Sequence, residues 1–157
     1  MITSARSGDA RGEGLVAAQL LLLAGIAVLP LLRPAPQLPP ALRRFGTLCM
    51  VAGGGLALWS GQSLGHNLTP LPEPKTDGAL IQSGPYALAR HPLYGGLLLA
   101  SVGWALQRGH REALELSVLL AGLLEIKTRE EERRLTRRFP GYPAYRRRVR
   151  KLIPGVY

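Results

Sequence analysis

Residues Leu15 to Leu32 read LVAAQLLLLAGIAVLPLL, with Gln19 as the one strongly polar side chain. As a helix this stretch rises about 27 Å, close to the roughly 30 Å of a bilayer's hydrocarbon core. No polar stripe recurs at helical spacing, so the helix is greasy on every side. Arg33 and Pro34 follow where a cleaved signal peptide would show a small-x-small site, so the stretch predicts a retained transmembrane helix.

Working outward, Phe45 to Leu64 (FGTLCMVAGGGLALWSGQSL) also has the length to span. Gly53, Gly54 and Gly55 would each cost about 1 kcal/mol relative to Ala in a water-exposed helix, but in lipid they permit close helix approach. Pro92–Leu106 and Ala113–Ile126 are shorter runs flanking the polar turn 107–112, a pattern for a helical hairpin. Glu115 must then point inward or sit near that turn, because a carboxylate facing lipid is expensive. The expectation is an all-α integral membrane bundle, one domain over 1–157. Four transmembrane helices at 15–32, 45–64, 92–106 and 113–126 are followed by a cytoplasmic C-terminal helix.

Composition excludes other classes. The single Cys49 rules out a disulfide framework, and one Cys with three His cannot build a structural zinc site of the usual kind. The apolar runs exclude intrinsic disorder. Charge placement sets topology. With both termini on one side, that side holds fifteen Lys and Arg, including Arg6, Arg11, Lys75, Arg90 and all those from Lys127 on. The other side holds five: Arg33, Arg43, Arg44, Arg108 and Arg111. The positive-inside bias places both termini and the 65–91 loop in the cytoplasm, with the basic tail suited to an anionic leaflet of membrane lipids. Seventeen Arg against three Lys points to a bacterial source and hence its inner membrane. No nucleic-acid-binding module is recognisable in the basic tail, so nucleic acid is not expected as a partner.

Two polar stretches share the predicted cytoplasmic face. In the first, Pro70, Pro72 and Pro74 forbid a continuous helix and Lys75–Thr76–Asp77–Gly78 reads as a turn. It ends in Ser83–Gly84–Pro85–Tyr86 and Arg90–His91–Pro92–x–Tyr94–x–Gly96, at the start of an apolar helix. Pro92 fits the first turn, and the N–H groups of that helix start favour an anionic ligand group. The second stretch, from Lys127 to Phe139, reads as a charged helix stopped by Pro140–Gly141.

Gly84–Pro85–Tyr86, RHPxYxG over 90–96, and EExxLxxxF over 131–139 with Tyr142 and Tyr145 following resemble, in that order, the isoprenylcysteine carboxyl methyltransferase family. The match runs from about Leu64 to the C-terminus. That family and the related phospholipid methyltransferases are integral membrane enzymes using S-adenosyl-L-methionine. The resemblance implies that Tyr86, His91, Pro92, Leu93 and Tyr94 belong to the cofactor-binding motif. It implies that Gly78, Ala79, Leu80 and Ile81 touch cofactor largely through backbone, and that Glu131 is the cofactor-binding glutamate with Glu132 completing the pair. Lys127 stands where similar eukaryotic enzymes carry a substrate-side arginine, although lysine lacks the planar fork. The expected acceptor is a lipophilic or lipidated small molecule, methylated on a carboxyl oxygen, with phospholipid or amine N-methylation as the alternative.

A carboxylate acceptor is already ionised at neutral pH, so binding roles dominate. His91 and the helix N–H groups are expected to hold the cofactor carboxylate and Glu131 its ammonium or ribose hydroxyls. Arg90 or Lys127 would hold an anionic acceptor, Arg90 being equally readable as a headgroup anchor. Tyr142 and Tyr145 read as interfacial anchors, Trp59 and Trp104 as interfacial or packing residues, and His66 and Asn67 as a polar cap. His110 falls on the far side, and Cys49 reads as inert. The rival class is a non-catalytic membrane protein whose basic tail binds anionic lipid. The sequence leaves the oligomeric state open.

Overall fold

The structure, a computed structural model, describes residues 3–33, 35–71 and 77–152, with side chains from residue 12 on. The prolines Pro72 and Pro74, the Lys75–Thr76 half of the expected turn, and the side chains of Arg6 and Arg11 lie outside the described residues. Five α-helices are found among the described residues: α1 (Thr3–Leu32), α2 (Pro40–Leu64), α3 (Pro92–Arg108), α4 (Arg111–Arg138) and α5 (Tyr142–Arg148). Single helical turns at Gly65–Asn67 and Gly84–Ala87 punctuate the α2–α3 connection. Among the described residues there is no strand, only an isolated parallel bridge between Ala89 and Arg150.

Helix ends follow local chemistry. Pro40 and Pro92 open α2 and α3, where the missing N–H costs nothing. Gly109 closes α3 in the left-handed region at φ 68°, and His110 then caps α4 by accepting the Ala113 N–H on Nδ1 at 3.3 Å. The stretches read separately as 113–126 and 127–139 are one 28-residue helix. At about 1.5 Å per residue it is roughly 42 Å long and outruns a bilayer's hydrocarbon core by about two turns. Glu115 sits one turn into it, exposed and paired with Arg111 at 2.8 Å.

Prolines also explain how α1 is held. Pro30 has no N–H for the Ile26 carbonyl, and the Pro30 carbonyl lies in the last turn of α1, which ends at Leu32. α3 supplies a donor to each: Trp104 Nε1 donates to Ile26 O at 3.0 Å and Arg108 Nη2 to Pro30 O at 2.9 Å. Trp104 is therefore a packing residue with a defined partner. Ile26, Tyr94, Leu120 and Leu124 form the core between α1, α3 and α4.

Helices α2 and α3 touch backbone to backbone. A Cβ on Gly46 would lie 2.7 Å from Gly103 O, and one on Gly96 would lie 2.7 Å from Gly53 O. Of the three consecutive glycines expected to pack, only Gly53 does so; Gly54 and Gly55 meet nothing within 4 Å. The contact repeats every seven residues on each helix, so its other members are Gly46, Gly96 and Gly103 rather than sequence neighbours.

The four-span expectation is met only in part. Gly12–Leu32 is the one helix among the described residues long and apolar enough to cross a membrane by itself. Glycines and Gln62 dilute α2, α3 has 17 residues, and charges crowd both ends of α4. Even so, large apolar side chains point outward on three helices: Leu21 and Leu32 on α1, Leu48 and Val51 on α2, Val118 and Leu119 on α4. Large exposed apolar surfaces are rare on soluble monomers. Membrane association follows from this surface and the apolar α1.

Candidate cofactor cavity

The two polar stretches meet. The Gly84–Ala87 turn, entered through Gly84 at φ 60°, buries Pro85 and Tyr86 and brings the chain to His91, the residue preceding α3. His91 lies between neighbouring carboxylates on α4, with Nδ1 3.5 Å from Glu131 Oε2 and Nε2 3.2 Å from Glu132 Oε1. Its ring stacks on Tyr94 with centroids 5.9 Å apart, and the Tyr94 hydroxyl donates to Glu131 Oε1 at 2.6 Å.

Glu131 and Glu132 are adjacent in sequence but point about 100° apart around the helix, and their surroundings differ accordingly. Glu132 is enclosed by cations. Arg90 Nε donates to its Oε1 at 2.9 Å, and Arg146 Nε lies 3.3 Å from its Oε2. Burial alone would raise its pKa, but the His91 hydrogen bond and the Arg90 charge overcome this and hold it at about 2. For His91, burial would depress the pKa, and the hydrogen bonds and charges of both glutamates reverse the sign, leaving it above the ordinary imidazole value. Glu131, turned by that angle, faces into a cavity. Among the described ion pairs its cation partner is His91, with no Lys or Arg.

A C-terminal strap completes the wall. Arg150 O and Lys151 O accept the N–H groups of Arg90 and His91 at 2.8 and 2.9 Å, while Arg90 Nη1 donates to Arg146 O and Val149 O. With these amides engaged, the α3 donors left without helical partners beside the cavity are the N–H groups of Leu93 and Tyr94. Tyr145 donates its hydroxyl to Tyr86 O at 2.6 Å, and the Tyr142 hydroxyl is buried with no partner. Tyr142 and Tyr145 are 1% and 2% exposed, which overturns their reading as interfacial anchors: they are cavity wall.

The cavity is open at its mouth, and about 150 Å³ of it is free to the centre of a water-sized molecule. Ten of the anticipated residues line it: Gly78, Ala79, Leu80, Ile81, Tyr86, Arg90, His91, Leu93, Tyr94 and Glu131. Three do not. Pro92 is buried behind it as the first residue of α3, and Glu132 braces it from the far side. Lys127 is 1% exposed, donates Nζ to Gln19 Oε1 at 2.7 Å and lies 5.2 Å over the Tyr94 ring. Arg129 pairs with Glu125 and is exposed. Arg90 is no headgroup anchor, since its side chain is 10% exposed and engaged by Glu132 and the strap.

The sequence reading assigned no site role to part of the wall. Leu135 and Phe139 follow Glu131 at i+4 and i+8, a spacing that marks them on the same face. Asn67, read as a cap, accepts the Ala79 N–H on Oδ1 at 2.8 Å and so ties the end of α2 to the 78–81 segment. The donor set suits a molecule with cationic, anionic and aromatic parts, such as S-adenosylmethionine. Glu131 can accept from an ammonium or hydroxyls, the Leu93 and Tyr94 N–H groups can take an anionic end, and Tyr142 offers an orphaned hydroxyl. A family model described as phospholipid methyltransferase matches residues 42–141, from the start of α2 to the turn before α5. Among curated proteins none matches the chain.

Proposed function

The chain belongs to the phospholipid methyltransferase family, and from that premise we infer that it transfers the methyl group of S-adenosylmethionine to a lipophilic acceptor at a membrane surface. The observation that carries this reading is Glu131: a carboxylate oriented by His91 and Tyr94, aimed into an open cavity beside exposed apolar helices. The reading includes α2, α3 and α4 crossing the bilayer with α1, with the cavity and the C-terminal strap on the cytoplasmic side. Gly46, Gly53, Gly96 and Gly103 are packed between α2 and α3, and the exposed charges of α4 lie toward its two ends.

When bound, the cofactor supplies a methyl group on a positively charged sulfur. Glu131 holds its cationic or hydroxyl groups, and the N–H groups of Leu93 and Tyr94 hold its carboxylate. His91, engaged by both glutamates, sets the direction of Glu131 instead of gripping the ligand. Leu80, Ile81, Leu135 and Phe139 exclude water and give an amphipathic acceptor an apolar approach. Holding the acceptor in line supplies most of the rate, up to about 7–11 kcal/mol for well-oriented groups.

We assign the acceptor atom to a carboxylate oxygen, which attacks without a base. His91 has both ring nitrogens engaged by Glu131 and Glu132, so it offers none. A second reading, N-methylation of a lipid amine, draws on the engagement of Arg90 and Lys127 elsewhere, which removes the cations expected to hold an anionic acceptor. Calorimetric titration of detergent-purified protein with S-adenosylmethionine, then radiolabelled methyl transfer into a lipid extract, tests the reading. Base-labile label identifies an ester, and base-stable label an amine. Absence of binding, with liposome association that disappears in salt, would support the non-catalytic rival.

A further inference from the structure

At the opposite end of the bundle a second cavity opens between the end of α1, the start of α2 and the end of α3. Its wall gathers Arg33, Arg43 and Arg108 with Gln37 and Gln107. One carboxylate answers the three guanidiniums: Glu112 lies 3.0 Å from Arg33. Arg108 is held over the Trp104 ring and on Pro30 O, so its position is set by the fold. Arg43 has no ion-pair partner among the described residues. Gln107 Oε1 is buried without a hydrogen-bond partner, an acceptor waiting for a donor.

A surplus of two positive charges with one orphaned acceptor calls for a phosphate ester that also carries a hydroxyl. The immediate surroundings say where such a group comes from. Leu31, Leu32 and Phe45, at 60%, 72% and 56% exposure, flank the basic residues in sequence and offer surface for acyl chains. We propose that this cavity binds the headgroup of an anionic, hydroxyl-bearing phospholipid from the leaflet opposite the cofactor cavity. Its phosphate lies among Arg33, Arg43 and Arg108 and its hydroxyl donates to Gln107. The lipid joins the α1–α2 connection to the end of α3. This rests on the membrane-embedded reading above, and not on methyl transfer.

The test is native mass spectrometry of the full chain in detergent, titrated with phosphatidylglycerol, phosphatidylcholine and inorganic phosphate. Phosphatidylglycerol should be retained at about tenfold lower concentration than phosphatidylcholine. Arg43→Gln should remove that preference and Arg43→Lys should keep part of it, with S-adenosylmethionine affinity unchanged in both. Gln107→Met should weaken phosphatidylglycerol several-fold. Equal retention of the two lipids, wild-type behaviour of Arg43→Gln, or displacement of phosphatidylglycerol by equimolar inorganic phosphate would each overturn the assignment. Lipid preference without cofactor binding would sink the methyltransferase reading alone, and cofactor binding without lipid preference would sink this one alone.

Discussion

Two isosteric substitutions at adjacent positions should have opposite effects. Glu132→Gln removes the charge facing Arg90 at 2.9 Å, His91 at 3.2 Å and Arg146 at 3.3 Å, in a side chain only 7% exposed. Two of those cations are themselves buried, at 10% and 6% exposure, so the loss leaves charge without a partner. Breaking such a pair costs about 3–5 kcal/mol, which for a chain of this size lowers the melting temperature by roughly 10 °C. Glu131→Gln keeps an oxygen for the Tyr94 hydroxyl and removes only the 3.5 Å contact to His91, so the fold should lose about 1 kcal/mol or less. Its effect falls on the ligand, where a charge-assisted hydrogen bond worth about 1.5–3 kcal/mol disappears and Kd rises roughly 10- to 150-fold. Thermal unfolding in detergent and calorimetric titration with S-adenosylmethionine read the two effects separately. An unchanged melting temperature for Glu132→Gln, or an unchanged Kd for Glu131→Gln, refutes the division of labour.

The other expectations concern stability and pH. Trp104→Phe leaves the Ile26 carbonyl without its donor and should cost about 1–3 kcal/mol in thermal unfolding, whereas an exposed tryptophan would show no loss. Gly103→Ala places a Cβ 2.6 Å from Gly46 O, so α2 and α3 must part, at about 1–3 kcal/mol or more. Gly55→Ala meets nothing and should stabilise by up to about 1 kcal/mol. Glu132, held at about 2, contributes stability that is complete above the ordinary carboxylate range and lost as pH falls toward 2. His91, raised, contributes below pH of about 6.5 and loses its share as pH rises through its folded value. A melting-temperature profile should therefore plateau between about pH 4.5 and 6.5 and fall on both sides, and both declines should shrink in Glu132→Gln. Tyr142→Phe removes a hydroxyl that has no partner among the described residues, so it should leave the melting temperature unchanged or raised while weakening cofactor binding several-fold.

Much of the fold was legible because it depends on short-range chemistry. Proline at the start of α3, Gly109 after it and Pro140–Gly141 beyond α4 punctuate the chain through φ and missing N–H groups, which are properties of single residues. The pairing of the His91 and Glu131 regions was legible through motif resemblance, and the structure brings them within 3.5 Å. Tertiary packing decided the rest. Only the rotation of α4 makes Glu131 the cavity-facing carboxylate and Glu132 the brace, because a charge pair in sequence does not say which partner faces which neighbour. Lys127 looked available until Gln19, 108 residues away, took its ammonium. Gly46, Gly53, Gly96 and Gly103 became a contact only when two helices lay side by side, and Pro30 found its compensation in Trp104, 78 residues from Ile26. Backbone preferences act over a few residues and can be read along the chain, whereas a side chain's partner depends on how the helices rotate and pack.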